Sequence, residues 1–80
     1  MPAPADIILT RLLRIRLKQR GITENEVRFA IAKPLKREIQ SDRGEHGGNV
    51  YKYKNDEHVV VAEVKGKTCW IITAYENEQN

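Results

Sequence analysis

Residues 58–75 read His58-Val59-Val60-Val61-Ala62-Glu63-Val64-Lys65-Gly66-Lys67-Thr68-Cys69-Trp70-Ile71-Ile72-Thr73-Ala74-Tyr75. Two runs rich in β-branched and aromatic residues, parted by Lys65-Gly66-Lys67, spell two strands joined by a tight hairpin. Just upstream, Val50-Tyr51-Lys52-Tyr53-Lys54 has the same character, with Asn55-Asp56-Glu57 as the turn between. The three strands, over about 50–54, 58–64 and 68–75, make an antiparallel meander. Such a sheet must bury one face against another layer.

The N-terminal half supplies that layer. Ile8, Leu9, Leu12, Leu13, Ile15 and Leu17 fall at helical spacing, and Gly21 stands where a left-handed stop is wanted, which predicts a first helix over about 6–20. Ile22-Thr23-Glu24-Asn25-Glu26-Val27 then carries a capping box: Thr23 accepts from the Glu26 amide, and the Glu26 carboxylate reaches back to the Thr23 amide. The second helix, about 24–33, must stop before Pro34, which disfavours helical geometry at the residue preceding it. Beyond Pro34, alternation over about 35–41 predicts an edge strand, and Ser41 to Asn49, with three glycines and no large apolar residue, predicts a mobile loop. The expected fold is α+β, a single domain over 1–80 with two N-terminal helices packed on a three- or four-stranded antiparallel sheet, and a frayed polar end from Glu76.

Composition narrows the function classes. Eighty residues with one Cys allow neither an internal disulfide nor a cysteine zinc site, so the chain reads as cytoplasmic, without metal or other cofactor. Met1 to Asp6 lacks a basic leader, and the apolar run Ile7–Leu9 is too short to span a membrane. Residues 1–54 hold 12 Lys/Arg and 6 Asp/Glu, a net of +6, whereas residues 55–80 hold 2 and 5, a net of −3. A basic first segment suits a polyanion or an acidic protein partner.

Several constellations bear on chemistry. At 100° per residue, Arg11, Arg14 and Lys18 oppose the leucines of the first helix, while Arg16 and Arg20 fall within the apolar arc. A charge there needs a partner: Glu38, Glu63, solvent beyond the strand ends, or a phosphate, which the planar guanidinium suits. Glu63-Val64-Lys65 has the form of half a magnesium-dependent nuclease site but lacks the second acidic residue on a neighbouring strand. Of the two histidines, His58 starts a strand and reads as a surface or edge residue, and His46, in the glycine-rich loop, is the better acid–base candidate; neither stands near an obvious metal ligand. Cys69 reads as a buried, inert thiol. Tyr51 and Tyr53 share one strand face and Lys52 and Lys54 the other, so the tyrosines either stack bases or pack in the core.

Arg16-Leu17-Lys18-Gln19-Arg20-Gly21-Ile22, the capped helix Thr23 to Ala32 with Pro34, Val59-Val60-Val61, and Ile71-Ile72-Thr73-Ala74-Tyr75 together resemble a family of small bacterial and phage domains of unassigned function. That family is grouped with the barnase, EndoU, colicin and RelE type of ribonuclease fold. The resemblance spans about residues 7–76 and implies helices on a four-stranded antiparallel sheet. It also implies a toxin-like, metal-independent endoribonuclease from a toxin–antitoxin, phage or mobile-element setting, or a non-catalytic RNA- or protein-binding relative. In the family the first helix reads His-x-x-x-Arg before Arg-Gly-Ile; here Arg16 matches the arginine, and Leu12 stands at the histidine position. The roles implied are Arg16 and Arg20 on phosphate, with Arg11, Arg14 and Lys18 adding charge, Thr73 and Tyr75 in positioning or proton transfer, and His46 as replacement acid or base. RNA and an acidic antitoxin or immunity-type protein are the implied partners.

Overall fold

The structure, a computed structural model that describes residues 6–78, begins with a strand rather than a helix. The elements are β1 (Asp6–Ile8), α1 (Arg11–Arg20), α2 (Glu24–Ala32), β2 (Lys36–Ser41), β3 (Asn49–Lys54), β4 (His58–Lys65) and β5 (Thr68–Glu76). Helix α1 starts later than its apolar spacing predicts because Thr10, in extended geometry, caps it: its hydroxyl accepts from the Leu13 amide at 3.2 Å. Upstream, β-branched Ile7 and Ile8 take extended geometry and pair parallel to β5, Ile7 opposite Cys69 and Ile8 opposite Trp70. The sheet is therefore five-stranded and mixed, in the order β1-β5-β4-β3-β2, not three or four antiparallel strands. The β3-β4-β5 meander stands as expected. Expectations about residues 1–5 and 79–80 lie outside the described residues.

Local chemistry sets the remaining boundaries. Gly21, at φ 71°, ends α1 with its amide on the Leu17 and Lys18 carbonyls. The Thr23–Glu26 capping box forms in both directions, at 2.9 and 3.1 Å, and Ile22 and Val27 are both buried beside it. Lys65 pairs with Thr68 across the hairpin, whose first central residue, Gly66, has φ 61°, the position a side chain resists. The C-terminal end is fastened for two residues past the predicted strand: Glu76 extends β5, and Asn77 donates its amide to Glu57 and its side chain to the Asn55 carbonyl.

The helices cover one sheet face, α1 over β5 and α2 over β4 and β3. Leu13 and Leu17 from α1, and Val27, Ala30 and Ile31 from α2, meet Tyr53, Val60, Ala62, Cys69, Ile71 and Ala74. Each fully buried aliphatic side chain contributes about 1.5–3 kcal/mol relative to exposure. Tyr53 is 3% exposed and Tyr51 packs against the same core, so base stacking by this pair is ruled out. By strand alternation, Lys52, Lys54, Val59, Val61, Glu63 and Trp70 occupy the opposite face, which no helix covers, and a register shift between Val61 and Ala62 brings Thr73 and Tyr75 of β5 onto it as well.

Candidate functional site

The open face is built from the pairing register. Lys52 lies opposite Val61, which lies opposite Thr73; one row along, Lys54, Val59 and Tyr75 align; in the other direction Val50, Glu63 and Trp70 align. Valines thus floor a shallow groove with lysines on one side and Thr73 and Tyr75 on the other. A depression of about 640 Å³ opens beside Lys52, Lys54, Val59, Tyr75 and Arg20, with Glu76 and Glu78 at its rim.

Arg20 reaches this face because β1 pairs only with the first part of β5, leaving the edge from Ile71 onward free. One of its nitrogens donates to the Ala74 carbonyl at 2.7 Å and to the Thr73 hydroxyl at 3.3 Å. Of the partners open to Arg16 and Arg20, Glu38 and Glu63 are not used: Glu38 is held by Lys36 and Lys54, and Glu63 by His46. The second terminal nitrogen of Arg20 has no partner among the described residues, and the guanidinium fork leaves it free to bind an anion. Arg16 is exposed one turn earlier on α1. The structure does not bring Arg11, Arg14 or Lys18 to this face. Arg11 and Lys18 lie on the side of α1 opposite its buried leucines, and Arg14 pairs with Glu24 at 3.3 Å. Leu12 is 64% exposed, so nothing of the core depends on it.

At the other end of the face the glycine-rich loop folds back onto Glu63 rather than standing free of the sheet. Glu63 is 2% exposed, and its carboxylate accepts from the amides of His46 and Gly48, both at 2.8 Å, and from the His46 ring at 3.1 Å. Burial works against ionising Glu63, and the Gly48 and His46 donors outweigh it, holding its carboxyl below the usual carboxylate range. Close approach requires glycine: a Cβ on Gly48 would lie 2.5 Å from the Val64 carbonyl oxygen. The His46 ring stacks on Trp70, centroids 4.0 Å apart and planes within 2°. The carboxylate makes Nδ1 the donor of this bond, so in the neutral ring Nε2 is the acceptor, and it has no partner among the described residues. Stacking and hydrogen bonding fix the ring in two directions, an arrangement able to move a proton at Nε2.

The sequence names His46, Arg20, Thr73 and Tyr75 as candidates, and the structure sets all four at this face; the sequence does not reveal Glu63 as the partner of His46 or Trp70 as the ring it stacks on. The available signal was alternation in β4, which sets Glu63 on the face opposite Val60 and Ala62. The magnesium half-site is not assembled, since Glu63 is committed to the loop. His58, expected at the surface, is 7% exposed and bonds through Nε2 to Glu26 at 3.1 Å, with Glu57 close by. Cys69 is fully buried, as expected.

The family model described as "Domain of unknown function (DUF4258)" matches residues 13–76. The chain belongs to the DUF4258 family. The DUF4258 match takes in most of α1, all of α2 and β2–β5 with the glycine-rich loop, and leaves β1 outside. No curated protein and no solved structure matches the chain. No helix among the described residues is long and apolar enough to cross a membrane.

Proposed function

We propose that the open sheet face binds the phosphate backbone of single-stranded RNA and that the Glu63–His46 pair cleaves it without a metal, as a toxin-like endoribonuclease of the barnase and RelE type. The observation carrying this reading is the imidazole clamped between Glu63 and Trp70, with Nε2 free, at the end of a face lined by Lys52, Lys54 and Arg20. In the reaction, Nε2 takes the proton of a ribose 2′-hydroxyl as that oxygen bonds to the adjacent phosphorus. The bond to the 5′-oxygen breaks, and the imidazolium returns the proton to it, leaving a 2′,3′-cyclic phosphate and a 5′-hydroxyl. Thr73 and Tyr75 stand three and five residues along β5 from Trp70, roughly 10 and 16 Å at about 3.3 Å per residue. They therefore serve flanking nucleotides with Arg20 and Arg16, rather than the reacting phosphate.

A second reading, a non-catalytic RNA-binding module of the same fold, draws support from exposed Leu12 at the position where the resembled family carries histidine. Incubating the purified protein with total RNA in EDTA separates the two. The first reading expects cleavage, lowered about 100-fold or more in His46→Ala, with RNA binding retained. Intact RNA that is bound in a salt-sensitive manner establishes the second. Neither cleavage nor binding overturns both and turns attention to a protein partner such as an acidic antitoxin.

A further inference from the structure

On the helix-covered side of the molecule, away from the groove, the end of β3, the start of β4 and the first turn of α2 converge. His58 Nε2 and Glu26 Oε2 lie 3.1 Å apart there, and a Glu57 carboxylate oxygen falls with them inside a set whose members are all within 4.8 Å of one another. We propose that Glu26, Glu57 and His58 bind a first-row divalent cation of the zinc type, joining α2 to the β3–β4 turn. This inference is independent of the RNA reading.

The donor set has the required chemistry. One imidazole and two carboxylates suit zinc and its neighbours, and three protein donors leave a fourth position for water. Bonds of about 2.0–2.1 Å in tetrahedral geometry set donor atoms roughly 3.3 Å apart, so Nε2 and Oε2 need to open by only a few tenths of an ångström to admit an ion. Glu26 is already oriented by its other oxygen: Oε1 accepts the Thr23 amide at 2.9 Å as part of the capping box, leaving Oε2 for the metal. His58 is held in place from the backbone: the Asn55 side chain accepts from the amides of His58 and Glu57 at 2.7 and 2.9 Å. The cluster is reachable, because all three donors line a cavity of about 560 Å³ that continues past Phe29 and Leu35 to the surface. Glu57, exposed at the mouth of the cavity, supplies the third ligand.

The full-length chain, stripped with EDTA and then freed of it, is titrated with zinc ions alone by calorimetry. The same titration is followed through the 15N resonances of the two imidazoles. The expected result is one ion per chain, perturbation of His58 with His46 unmoved, and affinity at least tenfold weaker in Glu57→Gln, a surface substitution that leaves the core intact. Absence of binding, equal affinity in Glu57→Gln, or perturbation centred on His46 overturns the proposal and leaves His58–Glu26 as a hydrogen-bonded pair only. RNA cleavage in EDTA reports separately on the groove, so the two ideas fail independently.

Discussion

Glu63 occupies a strand position with the burial of a core residue, and its cost is offset because the loop delivers three donors to it. Removing those donors would strand a buried charge, so the carboxylate and the loop conformation depend on each other. Cys69 shows the opposite solution one strand away: it faces the apolar core, and burial with no compensating donor pushes its thiol up to about 11. At pH 8 only about one thiol in a thousand would be ionised even with access, and the thiolate is the reactive form. The native protein is therefore expected to give no reaction with a disulfide reagent at pH 8 over an hour, and one full equivalent at once in denaturant. Rapid labelling of the native protein would show that the α1–β5 layer opens readily.

At the scale of the elements, the sequence conceals the structure of the 42–48 loop. Glycine-rich and polar, it reads as mobile, because nothing local says that Glu63, seventeen residues beyond His46, will collect its amides. Gly48 is the test of that closure. An added Cβ would meet the Val64 carbonyl oxygen at 2.5 Å and its carbon at 2.9 Å, and strand backbone cannot move aside as a flexible side chain would. Gly48→Ala is expected to destabilise by about 1–3 kcal/mol, read as a lowered denaturant midpoint. It should also change the emission of Trp70, the sole tryptophan, as the His46 stack loosens. An unchanged midpoint and spectrum would mean that the loop does not rest on β4. Helix α2 and the end of α1 were legible for the converse reason: the Thr23–Glu26 capping box, Gly21 and Pro34 act within four residues of the backbone they control. Strand β1 was not, because its parallel partner lies 62 residues away and Ile7–Ile8 fit helical spacing equally well.

At the scale of the molecule, the α+β plan followed from periodicity, whereas the sheet face left open did not, since Tyr51/Tyr53 and Lys52/Lys54 alternate with equal regularity. Only the helices choose, by covering the tyrosines. What then holds the layers in register is in part electrostatic, through three carboxylates placed at separate seams. Glu26 caps α2 and meets His58 of β4; Glu38 ties edge strand β2 to β3 through Lys54; Glu63 fastens the loop to β4. All three are lowered in the folded state from an ordinary value of 4.5, Glu26 chiefly by the Thr23 amide and Glu38 chiefly by Lys36, while in Glu63 the donors from Gly48 and His46 overcome burial. A carboxyl with a depressed folded pKa binds fewer protons folded than unfolded, so its stabilisation is complete above the unfolded value and is lost as pH falls through the folded one. Thermal midpoints are thus expected to stay level from pH 7 to about 5.5 and to fall steadily below about 4.5. Because Glu63 is the buried member, Glu63→Gln should lower the midpoint at pH 7 and make the decline below pH 4.5 shallower. A midpoint at pH 3.5 equal to that at pH 6 would show that these seams contribute nothing and that the apolar core alone sets the stability.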